Sequence, residues 1–462
     1  MGCIKNLSKM LAEWIAIGAV FVVVMSPVET WAAFASQFSL GIGEQYSDNI
    51  FFSKSKEHDF ITTLNPTLSF FYAPPGQTEQ VGHLSVTPSG QFFARHSELN
   101  NFGKNVAVNG SYVYRYSPKL TFNLSDTFTR QGATRTGSLG ELAPLQGGPT
   151  TTAPGANNAN NLKDVVSGGD QLTNSIAFQG AYLFRPDFSF MGYYNNVLTK
   201  FITLGGRSDV FQTIGARAIH NWRQDHNLHA GYSISISNSR NGDSGVIHNF
   251  DFGDDYFSNY NLQLTPTLSL TASSGLSFNS GDGESRGTNE KRRGGPRVAS
   301  NTNLTITKLW EKAVLNAGAR KGLTPSFGVS GISDTTSLFA NFKLSFTERL
   351  TSSADVNWSI FDTADVNFKT FQASMGLQYV VTTWLTTAMN YNFNWIKSGR
   401  GAAQTDLLNR GVVNSNSVFI VLTSRFDLWP NIGLARGLTS SALTPVLQTP
   451  FPPSSPKSPI AP

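Results

Sequence analysis

Apolar and polar side chains alternate along most of this chain with a period of two. In residues 119–131, Leu120, Phe122, Leu124 and Phe128 share one parity, and Thr121, Asn123, Ser125, Thr127 and Thr129 share the other. Successive side chains of a strand point to opposite faces, so the segment predicts a strand with one apolar face and one hydroxyl-and-amide face. The same division holds at 172–184, where Leu172, Ile176, Phe178, Tyr182 and Phe184 oppose Thr173, Ser175 and Gln179. It holds again at 384–396, where Leu385, Met389, Tyr391, Phe393 and Trp395 oppose Thr386, Asn390, Asn392 and Asn394. No helical period competes over comparable length. Soluble strands average roughly five to six residues, and a tilted strand of about ten crosses a bilayer core. These runs have the longer dimension.

Short polar breaks join the runs: "YSPKLTF" at 116–122, "FRPDFSF" at 184–190, "WRQDHNL" at 222–228, "LTPTLSL" at 264–270, "LWEKAVL" at 309–315 and "FTERLTS" at 346–352. In "FRPDFSF", Pro186 presets φ and Asp187 accepts from nearby backbone N–H groups, as a tight turn requires. Eighteen strands are predicted, from 36–46 and 59–72 at the start to 384–397 and 415–428 at the end, with the tenth at 255–265. Short and long connections alternate between them. The predicted fold is an all-β transmembrane antiparallel up-and-down β-barrel of sixteen to eighteen strands, with short periplasmic turns and long outer loops.

Composition changes the picture at the two ends. The apolar run "WIAIGAVFVVVM" at 14–25 follows Lys5 and Lys9 and precedes Ala33-Phe34-Ala35. That order is a secretory signal peptide, with cleavage expected near Ala35. Residues 430–462 hold 8 of the 21 prolines, which predicts a flexible periplasmic tail. The domain organisation is therefore a signal peptide at 1–35, a barrel at 36–429 and a proline-rich tail at 430–462. Segment 132–170 has low complexity and predicts a long outer loop.

Candidate chemistry narrows the function classes. The lone cysteine, Cys3, lies in the removed segment, so the mature chain has no disulfide, thiolate metal site or cysteine nucleophile. His226 and His229 differ by an odd number and point to opposite faces of a strand. Asp251, Asp254 and Asp255, like Asp282 and Glu284, read as solvated loop carboxylates. No catalytic residue, metal ligand or cofactor is assigned, and no enzyme is expected. The formal net charge of +5 comes with export and one dense basic run, Lys291-Arg292-Arg293, which argues against a nucleic-acid partner.

If the apolar parity faces lipid, the inner set is Ser, Thr, Asn and Gln, with Arg115, Arg217, Arg320, Lys343 and Arg425 opposed by Asp355. These six are the candidate pore-lining residues, and their surplus positive charge would favour anionic solutes. Loop 280–297 carries Arg286, Lys291, Arg292, Arg293 and Arg297, candidates for binding surface polysaccharide or lipopolysaccharide phosphate, or simply a solvated loop.

The opening of the mature chain, "LGIGEQYSDNIFFSKSKEHDFITTLNPTLSFFY" at 40–72, resembles that of outer-membrane β-barrel porins linked to capsule, exopolysaccharide or exosortase-type loci. Ser47 stands where an acidic residue is common in that family, and the chain runs on past the strand-terminal aromatics Phe426 and Trp429, candidates for the signal read by the barrel-assembly machinery. Asp48 and Asn49 suit a cap on the first hairpin turn. The resemblance implies an outer-membrane pore for passage of hydrophilic solutes or export of a surface polysaccharide, in contact with outer-membrane lipid and lipopolysaccharide. The alternative is a non-conducting structural or surface-binding barrel.

Overall fold

The computed structural model describes residues 34–51, 54–74, 79–131, 170–202, 208–223, 226–239, 245–258, 268–279, 297–325, 332–362, 367–398 and 411–429. The signal-peptide run, the segment 132–169, the acidic pair Asp282 and Glu284, the basic residues Arg286, Lys291, Arg292 and Arg293, and the tail 430–462 lie outside the described residues. The strands are β1 (Phe34–Ser47), β2 (Asp59–Tyr72), β3 (Gln80–Phe93), β4 (Asn101–Ser117), β5 (Leu120–Gln131), β6 (Gln171–Arg185), β7 (Phe188–Phe201), β8 (Ser208–Arg223), β9 (His226–Ser239), β10 (Gly245–Ser258), β11 (Leu268–Asn279), β12 (Arg297–Leu309), β13 (Ala313–Pro325), β14 (Ile332–Ser345), β15 (Leu350–Asp362), β16 (Asn367–Val380), β17 (Leu385–Ser398) and β18 (Val412–Trp429).

Each strand pairs antiparallel with its sequence neighbours, and β1 pairs with β18, so the 18-stranded sheet closes on itself. Closure satisfies the backbone donors and acceptors that an open sheet edge would leave in hydrocarbon. The seam runs from Ser36↔Trp429 to Ser47↔Ser417. β1 already begins at Phe34, which pairs with Tyr72, so the ladder starts two residues before the expected mature terminus.

One ladder is interrupted. Pairing of β2 with β3 stops at Leu64↔Gly90 and resumes at Leu68↔Val86. In that register Pro66 stands opposite Pro88, and neither has an N–H to donate. The inner face beside this gap is bridged instead by the hydroxyls of Thr67 and Thr87, 2.9 Å apart.

The turn in "FRPDFSF" is the two-residue link expected, Pro186-Asp187 between β6 and β7. Its carbonyls are held by the neighbouring strand: Asn221 N donates to Asp187 O at 2.8 Å, and Asn221 Nδ2 to Pro186 O at 3.4 Å.

The tenth strand departs from expectation. It occupies Gly245–Ser258 and not 255–265. Its sequence, "GVIHNFDFGDDYFS", alternates like the others, but its inner parity carries Asn249, Asp251 and Gly253, residue types that read as loop. Asp251, Asp254 and Asp255 are thus strand residues, and the solvated-loop reading is corrected.

Candidate functional site

The register divides the wall into two faces. Large exposed apolar side chains such as Ile42, Leu124, Phe178, Ile214, Phe250, Leu338, Met389 and Ile420 mark the outer one. Partners across each ladder share a face, so the opposite parity lines the lumen. There Thr63, Thr199, Ser277, Thr335, Ser337 and Ser359 are buried among their neighbours.

All six candidate pore-lining residues fall on the inner parity: Arg115 opposite Thr121, Arg217 opposite Gly231, Arg320 opposite Ser337, Lys343 opposite Ser353, Asp355 opposite Ser374, and Arg425 opposite Ser39. They do not form one cluster. Arg217 and Asp251 form an ion pair at 2.8 Å that spans three strands, β8 to β10, across Gly231 on β9. A Cβ on Gly231 would lie 2.6 Å from Asp251 Oδ1, so the glycine is the gap through which the pair meets. His229 lies one ladder step away, 1% exposed, with Nε2 3.8 Å from Asp251 Oδ2. Its ring covers Gly253, whose Cβ would come within 2.7 Å of Nε2.

Aromatic rings cover other inner glycines in the same way. Phe339 lies over Gly318 and Phe419 over Gly43. Arg320 then stacks on Phe339, with Cζ 4.8 Å from the ring centroid, and donates from Nε to Asn303 at 3.1 Å. Asp355 is held by amide and hydroxyl partners, Asn341 Nδ2 at 2.5 Å and Ser374 Oγ at 3.2 Å. Phe71 stacks on His83 at 4.9 Å on the inner face.

The expected surplus of inner positive charge is smaller than the sequence suggested. Asp59, Asp209, Asp251 and Asp427 share the inner face with Asp355. Asp251 was missed because its strand was misplaced, and Asp209 and Asp427 because they stand at strand ends. Arg297 opens β12 opposite Asn279, so it belongs to the wall and not to the basic loop. Among the described residues no group of three or more His, Cys, Asp and Glu side chains could hold a metal ion. His226, on the outer parity, pairs with Asp254 at 2.6 Å, facing away from His229 as the odd spacing requires.

The outer rim is polar and cross-braced. Asp48 does more than cap its own turn: its carboxylate accepts from Asn416 N at 2.6 Å and Asn416 Nδ2 at 2.9 Å, and pairs with Lys56 at 2.8 Å. Asn49 Nδ2 donates to Asn414 O at 2.9 Å. Both residues therefore fasten β18 to the loop after β1. Burial disfavours the Asp48 charge, yet the bonds from Lys56 and Asn416 outweigh it and hold the carboxyl below its ordinary value.

A second brace joins the loops after β1 and β3. Fully buried Asp59 accepts from the backbone N–H of Phe60, Arg95 and His96. His96 Nδ1 lies 3.0 Å from Asp59 Oδ2, and Nε2 lies 3.1 Å from Glu57 Oε2. The Asp59 contact raises the His96 pKa above its ordinary 6.5, because only an imidazolium donates from both ring nitrogens. Ile50, Ile61 and Phe93 pack under this brace with Leu99.

At the short-turn end the outer wall carries exposed Tyr116, Phe184, Trp222, Trp310, Phe346 and Trp384. At the long-loop end it carries Tyr46, Phe60 and Phe92, with apolar residues between the two rings, mid-strand Phe178 and Phe252 among them. An apolar band between aromatic girdles around a polar interior is the wall of a membrane-spanning barrel. Among the described residues no helix is long and apolar enough to cross a membrane, and the crossing is made by strands.

No family model matches the chain, and no curated protein matches it. Solved structures do show similarity. OccAB3 of Acinetobacter baumannii is 12% identical with a TM-score of 0.43, covering 85% of this chain and 99% of that one. OccK2 (OpdF) of Pseudomonas aeruginosa in complex with glucuronate is 9% identical with a TM-score of 0.43, covering 86% and 98%. The outer-membrane protein opdK of Pseudomonas aeruginosa is 12% identical with a TM-score of 0.42, covering 85% and 99%. At these scores the likeness does not extend to solute or mechanism.

Proposed function

We propose that this protein is a bacterial outer-membrane pore through which small hydrophilic solutes diffuse. The observation that carries the reading is the closed 18-strand wall, apolar outside and lined inside by hydroxyl, amide and charged groups. Barrels of sixteen to eighteen strands enclose an aqueous channel, and such a lining holds water or bonds solute hydroxyls in passing. No reaction is required of it.

Selectivity follows from where the charges stand. Arg217 is neutralised by Asp251, whereas Arg320 is held by Asn303 and Phe339 and has no carboxylate partner among the described residues. Arg320 and Lys343 are proposed as the charges that a passing anion meets. A surface polysaccharide as cargo is suggested by residues 40–72 alone, and the inner wall supplies no feature that favours it over small solutes.

The experiment is single-channel conductance of the refolded chain in a planar bilayer, with reversal potentials in asymmetric salt. Steady conductance that falls when neutral or acidic sugars are added is expected. A folded barrel that conducts no current refutes the pore and leaves the non-conducting surface barrel.

A further inference from the structure

Two lysines on the outer wall face each other with no counter-charge between them. Lys369, near the loop end of β16, stands directly opposite Lys397, near the loop end of β17. Both belong to the lipid-facing parity: Lys369 follows Tyr379, Leu377, Met375 and Phe371 up the wall, and Lys397 follows Met389, Tyr391, Phe393 and Trp395. Both are exposed. Directly opposed residues hold their Cβ atoms about 4.5–5.5 Å apart, where like charges oppose pairing of the strands.

A third lysine reaches the same corner. Lys54 Nζ lies 3.3 Å from where a Cβ on Gly411 would stand, and Gly411 precedes Val412, the ladder partner of Lys397. Among the described residues none of the three forms an ion pair, in contrast to nearby Lys56, which Asp48 neutralises at 2.8 Å. Among the described residues Asp362 is the closest acid in the register, two residue pairs above Lys369 on the same face, where it stands between Asn367 and Asp334.

Height identifies the partner. Ten residues of β16 separate Lys369 from Tyr379 at the short-turn girdle. At about 3.4 Å per residue and a tilt of about 40°, that is about 26 Å, the height of the apolar band of such barrels. The lysines therefore stand at its outer limit, with Phe371 and Trp395 directly below.

We propose that Lys369 and Lys397, with Lys54 at the adjoining rim, bind a phosphate group of a phosphorylated glycolipid in the outer leaflet. A phosphate between the ammonium groups replaces their repulsion with charge-assisted hydrogen bonds. The apolar strip below accepts acyl chains, which a free phosphate would have no use for. The inference rests on the outer-membrane placement proposed above and uses none of the lumen residues.

The test is native mass spectrometry of the full chain in detergent, with bisphosphorylated lipid A and its dephosphorylated form as probes. The wild-type barrel is expected to retain the phosphorylated glycolipid about tenfold better, and the Lys369→Gln/Lys397→Gln barrel to lose that preference. The Lys369→Arg/Lys397→Arg variant should keep it, which separates charge from folding defects. Equal retention of both glycolipids by wild type, unchanged preference in the glutamine variant, or full displacement by an equal concentration of inorganic phosphate overturns the proposal. Conductance of the same preparations is read separately, so a silent channel sinks the pore without touching the retention result.

Discussion

At the scale of single residues, the inner wall is organised by what its glycines leave open. Gly231 admits the Arg217–Asp251 pair, so Gly231→Val is expected to separate the two charges and expose the guanidinium to the lumen. The expected outcomes are a stability loss of about 1–3 kcal/mol in thermal unfolding and a reversal potential shifted toward anions. At the rim, pH acts on two groups in opposite senses. His96 is raised above 6.5, so its brace is complete below that pH and fades as pH rises through the raised value. Asp48 is lowered below 3.8, so its clamp is complete above that pH and fades as acid protonates it. Both braces hold together between about pH 4 and 6.5. The protection factors of the Arg95 and His96 amides, their intrinsic exchange rates divided by the observed ones at each pH, should be highest in that window and lower at pH 8. A flat profile from pH 5 to 8 would contradict the role given to His96.

At the scale of elements, the seam depends on side chains as well as its ladder. Asp48→Ala removes three acceptor contacts to β18 and Lys56 and is expected to cost about 1–3 kcal/mol, read as a lower temperature at which the barrel loses heat resistance in electrophoresis. Asn49→Ala, which keeps the carboxylate, should cost less. Strand number and the short turns at 118–119, 186–187, 310–312 and 346–349 were legible because lipid demands an unbroken apolar parity, as in Leu120, Phe122, Leu124 and Phe128 of β5, while the breaks at 224–225 and 265–267 lie outside the described residues. β10 was not, because only its outer parity is constrained: Phe250 and Phe252 obey the rule, while Asp251 and Gly253 between them mimic a loop. The rim brace was equally hidden, since Asp59 and His96 are 37 residues apart and meet only after β2 and β3 pair. Spacing along one strand reports faces, whereas contacts across strands need the register.

At the scale of the whole molecule, the balance of inner charge sets selectivity. Among the described residues inner cations and inner carboxylates are closely balanced, so a mild preference between ions is expected, tuned by whichever charges lack partners. Arg320→Ala is expected to lower the anion-to-cation permeability ratio by about twofold, whereas Arg115→Ala, at the turn end of β4, should change it little. Equal effects from both would place selectivity elsewhere in the lumen.

Seventeen of the eighteen pairings join strands consecutive in sequence, and the last joins residues as distant as Gln37 and Asp427, 390 positions apart. Bringing ends that far apart together carries a chain-entropy cost of about 5 kcal/mol, concentrated in a single event. The cylinder is thus built of local hairpins and one ring-closing seam, with Asp48 and Asn49 as its latch. For refolding in detergent, where no assembly machinery reads the last strand, strand order is then free: a circular permutant with Trp429 linked to Phe34 and the Pro186-Asp187 turn opened should refold to the same barrel, its latch already tethered.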